Sequence, residues 1–130
     1  MYVLDTNTVI YWFKGLGRVA GNLTSRSPEE LALPSVVLYE LRLGAEQSAN
    51  PNRRLQQLQR LFGIVRTLAF DTTEAEHAAS IRADLERRGC PIGPMDVLIA
   101  ATARANNATL VTHNLDEFNR VPGLQVVDWF

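Results

Sequence analysis

The sequence predicts an α/β fold, a largely parallel sheet crossed by helices, in a single domain spanning residues 1–130. Two observations carry that prediction. Short apolar runs of strand length alternate with longer amphipathic runs of helical period. The helical runs also carry their own start and stop signals, in the form of caps, prolines and glycines. Strands separated by helices need crossover connections, and a crossover sets its two strands parallel.

Tyr2-Val3-Leu4 is the first strand candidate and runs straight into Asp5. A first helix follows and ends at Trp12 and Phe13. GLGRVAG (15–21) and SANPN (48–52) are the loosest stretches and read as connections. ELALP (30–34) is the second strand, stopped by Pro34, and Ser35 stands as the cap of a helix VVLYELRLGAEQ. After Pro51, Leu55, Leu58, Leu61 and Phe62 recur at helical spacing, with Gly63 as the stop. VRTLAF (65–70) is the third strand. DTTE (71–74) has capping-box spacing, with Asp71 as N-cap and Glu74 reaching back, and opens a helix to Arg88 and Gly89. Pro94 opens the helix MDVLIAATARA, apolar around most of its circumference and therefore expected to be buried. TLVT (109–112) and LQVV (124–127) complete the strands.

Composition narrows the function without naming it. Hydrophobic residues make up 46% and charged residues 21%, ordinary for a soluble globular chain, and the net charge of −1 neither demands nor excludes a nucleic-acid partner. Twelve of the thirteen basic residues are Arg, which forks onto phosphate or carboxylate, although GC-rich coding produces the same bias. Cys90 is the only cysteine, so no internal disulfide forms and a reducing cytoplasm is expected. No signal peptide and no membrane span are expected.

The informative residues are acids at the ends of apolar runs. Asp5 ends the first strand, and in open parallel sheets ligands bind beyond the carboxyl ends of strands. Glu40 is the one acid in LYELRLG, and Asp96 opens the buried helix with small Ala100 and Ala103 on its side. THNLDEF (112–118) brings Asn114, Asp116 and Glu117 to the end of the fourth strand. Carboxylates gathered within a few ångströms repel, so either some hold protons or a cation neutralises them. An all-oxygen set without Cys or His suits Mg²⁺, with Mn²⁺ as a substitute, and such a site can activate water for in-line attack on a phosphodiester.

LDTNT (4–8), LYELRLGAE (38–46), GCPIGPMDVLIAATA (89–103) and LVTHNLDEFNRVPGLQVVDW (110–129) together resemble the PIN-domain ribonucleases, specifically the VapC-type toxins of type II toxin–antitoxin pairs. The resemblance covers essentially the whole chain. It implies a three-layer α/β/α sandwich with strand order 3-2-1-4-5. It implies Mg²⁺-dependent endoribonuclease activity on tRNA or other structured RNA, which inhibits translation and growth. It also implies a cognate VapB-type antitoxin, a homodimer and a larger toxin–antitoxin assembly. Asp5, Glu40 and Asp96 match three family acids, with Asp5 and Asp96 as the firmest metal ligands. Thr6 and Asn7 are expected to orient Asp5, and Thr112 to sit at the rim. Many PIN proteins carry Asp where this chain has Asn114. Asp116 or Glu117 is the replacement, Asp116 being preferred, and Glu40 with Asp116 would serve a second ion. The metal would position and deprotonate a water, with Glu40, Asn114 and Asp116 assisting, leaving 5′-phosphate and 3′-hydroxyl ends.

Rival readings fail on specific residues. DTNTV resembles a phosphatase motif whose second Asp is here Asn7, and the lysine such enzymes use later is missing because Lys14 is the only one. A receiver domain lacks its paired acids and its lysine for the same reasons. A PIN-like module that binds RNA or protein without cutting is the remaining alternative, motivated by Asn114. His77 reads as a solvated helix residue, His113 beside the site as incidental with contact to RNA as the alternative, and Cys90 as lacking a base. Arg53, Arg54 and Arg60, and Arg82, Arg87 and Arg88, read as solvated faces. Trp12 and Phe13 fit either the core or a docking surface.

Overall fold

The computed structural model describes residues 1–130. Five strands, β1 (Tyr2–Leu4), β2 (Leu31–Pro34), β3 (Arg66–Leu68), β4 (Thr109–Val111) and β5 (Gln125–Val127), form one sheet. The order is β3-β2-β1-β4-β5 and every pairing is parallel. Strand order therefore reverses beside β1. The chain steps one way from β1 to β3, then returns across the sheet to β4 and β5. Right-handed crossovers on either side of such a reversal put helices on both faces. The burial agrees: Val3, Leu4, Ala32, Leu33, Leu110 and Val111 are all fully buried, so the central strands are covered on both sides.

Seven helices surround the sheet: α1 (Thr6–Lys14), α2 (Val19–Thr24), α3 (Ser35–Glu46), α4 (Pro51–Phe62), α5 (Thr72–Arg87), α6 (Pro94–Ala105) and α7 (Leu115–Phe118). The capping box at α5 is present as expected, with both reciprocal bonds between Asp71 and Glu74. Pro51 and Pro94 each occupy a first helical turn. α6 is the buried helix, its Ile99, Ala100, Ala101 and Ala103 nearly without exposure.

Three expectations need correction. Ser35 is the first residue of α3 rather than its cap, and Pro34 holds the cap position without a side-chain bond. β2 stays paired to β3 through Pro34, so no residue is left over to act as a cap. GLGRVAG is only partly a connection, because α2 begins inside it. Val19 and Leu23 lie four apart and both bury, which is enough to fold that segment onto the core. VRTLAF shrinks to the three residues of β3, an edge strand with Arg66 and Thr67 exposed.

Candidate active site

Asp5 sits at the carboxyl end of β1, beside the point where strand order reverses, and is buried. It is also the N-cap of α1. The Thr8 amide donates to Asp5 Oδ1 (2.8 Å), in the Asp-x-x-Thr spacing of a cap. The Asp5 amide donates to the Val111 carbonyl (3.2 Å), and Thr8 Oγ1 donates to that same carbonyl (3.1 Å), tying α1 to β4. Burial raises the Asp5 pKa. Hydrogen bonds from Thr8 and Thr112 oppose the rise, and the charge of Asp128 adds to it.

The expected supporting residues divide differently. Thr6 Oγ1 donates to Glu40 Oε1 (2.7 Å), so Thr6 orients Glu40 and not Asp5. Asn7 is exposed and makes no recorded side-chain bond. Helical phase explains the change: from an N-cap at Asp5, the amide in reach is three residues on, which selects Thr8. Thr112 belongs to the floor rather than the rim. It is fully buried, its hydroxyl helps hold the Asp5 pKa down, and its Oγ1 accepts from the Asn114 amide (3.0 Å).

Asp96 enters from the N-terminus of α6. Its pKa is pushed up to about 6, first by burial and then by the charges of Glu117, Glu40 and Asp5. Those three come from α7, α3 and the end of β1, so four elements deliver carboxylates to one place. Asp96 Oδ2 lies against Gly93, where a Cβ would come within 3.1 Å of it. Glycine at that position gives the carboxylate its room.

The fourth acid is Glu117. Asp116 is exposed and is absent from the charges acting on Asp96, whereas Glu117 heads the like charges there. Successive residues of a helix point about 100° apart, so only one of the pair turns inward. Asn114 is exposed at the N-cap position of α7 and makes no side-chain cap bond. No three His, Cys, Asp or Glu side chains stand close enough to enclose an ion on their own. The acids act on Asp96 through their charges without closing around a common point.

The residues set aside also find their places. His77 Nδ1 accepts from Arg104 Nε (2.9 Å), so His77 joins α5 to α6 rather than facing solvent alone. Trp12 and Phe13 are half-buried against each other, and Phe13 lines a cavity of about 210 Å³ that Glu40 also touches. His113 Nδ1 lies 2.8 Å from Asp128 Oδ2.

An open parallel sheet of this order, with acids from four elements gathered at its reversal point, is the arrangement of a PIN domain. The family model for the PIN domain matches residues 2–124, and the chain belongs to that family. Within it, the chain is similar to the tRNA(fMet)-specific endonuclease VapC of Salmonella typhimurium, at 37% identity over 128 residues covering 98% of this chain and 97% of the relative. It is 34% identical over 128 residues to Ribonuclease VapC2 of Haemophilus influenzae, with the same coverage of 98% and 97%. Among solved structures, DNA-bound VapBC from Salmonella typhimurium matches with a TM-score of 0.93 and 36% identity, covering 99% of this chain and 98% of that one. VapBC2 from Rickettsia felis, bound to a promoter DNA fragment, matches at 0.90 with 32% identity over 99% and 98%.

Proposed function

We propose that this protein is a VapC-type toxin: an endoribonuclease that uses Mg²⁺, or Mn²⁺ in its place, to hydrolyse phosphodiester bonds in tRNA or other structured RNA. A cognate VapB-type antitoxin neutralises it, a homodimer is its working unit within a larger toxin–antitoxin assembly, and the cytoplasm is its compartment. Full-length likeness to VapC ribonucleases and to VapBC complexes supports the reaction and the partner. No helix is long and apolar enough to cross a membrane.

The observation that carries the reading is the convergence on Asp96. A half-buried carboxylate whose pKa three other carboxylates help to raise is a site that a cation relieves. The donor chemistry, carboxylates alone, fits Mg²⁺, which keeps several of its waters and needs only one or two carboxylates from the protein. When bound, the ion supplies Lewis-acid polarisation and a lowered water pKa. Asp5 and Asp96 would hold it. Asp5 is fixed by the Thr8 amide, so its free lone pairs are aimed. Glu40, anchored by Thr6, and Glu117 would orient the attacking water opposite the leaving 3′-oxygen, or hold a second ion. The charge of Glu117 acting on Asp96 supports Glu117 in the acidic place that Asn114 leaves, which favours cutting over the non-cutting alternative.

The test is cleavage of total RNA and of tRNA(fMet) by antitoxin-free protein, with ends mapped. Cutting that requires Mg²⁺ or Mn²⁺ and disappears in Asp5→Ala and Asp96→Asn is expected. Wild type that cuts no RNA with either ion, or an Asp5→Ala protein that cuts as well as wild type, would overturn the reading.

A further inference from the structure

His113 follows Thr112, one residue from the buried hydroxyl that acts on Asp5. Its ring is held from three sides. Nδ1 lies 2.8 Å from Asp128 Oδ2. The ring stacks on Phe130, with centroids 4.2 Å apart and planes at 23°. Tyr11 meets it edge-on, with centroids 5.8 Å apart. The supports are themselves fixed. Asp128 Oδ1 accepts from the Phe130 amide (2.8 Å), and the Phe130 carbonyl accepts from the Arg18 amide (2.8 Å). Gly17 admits that carbonyl, since a Cβ there would lie 2.6 Å from it. The imidazole nevertheless stays 46% exposed, and no protein group bonds its Nε2.

The chemistry of the pair fixes what Nε2 presents. An ionised Asp128 can only accept, so Nδ1 carries a proton, and in the neutral tautomer that this bond selects the Nε2 lone pair turns outward. Asp128 is also near enough for its charge to act on Asp5, which puts this acceptor beside the acids. An outward acceptor calls for a donor on the substrate. A phosphodiester offers none; base N–H groups and the ribose 2′-hydroxyl do, and of these only the hydroxyl stands on every nucleotide beside the backbone and separates RNA from DNA. We propose that His113 is a substrate-contact residue whose Nε2 accepts a hydrogen bond from a ribose 2′-hydroxyl flanking the cleaved bond. The inference rests on the endoribonuclease reading and adds to it a means of selecting RNA.

The test uses a synthetic RNA spanning the mapped cleavage site, made with ribose throughout or with a single 2′-deoxynucleotide on either side of the cut. Wild type is expected to lose about tenfold in kcat/KM with the deoxy sugar at one of the two positions. His113→Phe keeps a ring on Phe130 but has no acceptor. It is expected to lose about tenfold on the all-ribose RNA and nothing further on the deoxy RNA, because both changes remove the same bond. A deoxy penalty of equal size in both proteins overturns the proposal. So does an unpenalised deoxy sugar at both positions with wild type, an arm that needs no variant to fold. Failure of wild type to cut the all-ribose RNA would defeat the endoribonuclease reading, and this proposal with it.

Discussion

The floor and the wall of the site hold their carboxylates in opposite ways. On the floor, Asp5 is buried but bonded by the Thr8 amide, within a lattice that ties β1, α1 and β4 together. On the wall, Asp96 is half-buried, has no recorded hydrogen-bond partner, and faces Glu117, Glu40 and Asp5. Both pKa values are raised, and in both burial is the largest cause. What differs is the remainder: hydrogen bonds offset burial at Asp5, while like charges add to it at Asp96. The floor is a finished part of the fold, and the wall keeps a like-charge repulsion that a cation would relieve.

The largest expected effects fall on activity and do not separate the two. Asp5→Ala and Asp96→Asn should each lower kcat/KM for RNA by at least about 100-fold. Stability does separate them, since Asp5→Ala also removes an N-cap, and chemical denaturation should find it about 1 kcal/mol less stable.

Next in size is pH dependence. Asp96 holds a proton below about pH 6 and cannot then serve a cation, so kcat/KM at limiting Mg²⁺ should fall about tenfold per unit below that value. Raising Mg²⁺ should move the acid limb to lower pH, because the ion competes with the proton. A limb that ignores Mg²⁺ would remove Asp96 from the metal site.

Gly93→Ala tests the wall sterically. The Gly93 backbone suits alanine, with φ −56° and ψ 146°, so the new methyl acts only through the 3.1 Å approach to Asp96 Oδ2. About a tenfold loss of activity with little change in melting is expected. Smaller still is the contrast within α7. Glu117→Gln should shift the acid limb downward and cost activity about threefold, and Asp116→Asn should do neither.

The last contrast is thermal. The folded pKa of Asp96 is raised, so its contribution to stability is present at low pH and lost as pH rises through about 6. In chelator at pH 7.5 the charge therefore destabilises, and Asp96→Asn should melt about 2–4 °C above wild type. Near pH 4 the gap should close. An Asp96→Asn protein that melts below wild type at both pH values would mean that Asp96 is a structural cap and that the wall resembles the floor.

Much of this was legible in the sequence because local signals and apolar period agree. The capping box of α5 and the prolines opening α4 and α6 depend only on near neighbours, and they landed as expected. The acids at segment ends marked Asp5, Glu40 and Asp96. What was hidden turned on helical phase or on distant partners. Thr8 was passed over although its spacing from Asp5 was that of a cap. Asp116 and Glu117 differ by one step of α7, whose docking on β5 no local pattern specifies. The frame around His113 joins residues 11, 113, 128 and 130, which meet only once the sheet has closed.

The bond from Thr8 to the Val111 carbonyl joins residues 103 positions apart, from the first turn of α1 to the end of β4, the strand beside β1. A growing polypeptide that has released β1, β2 and β3 into solution already carries Asp5 and Glu40, yet the edge where β4 belongs is bare. The floor cannot close, and Glu117 does not yet exist as part of the chain. Timing thus follows from topology: the ribosome making this protein meets no assembled cutting site until nearly all of the chain has emerged from it.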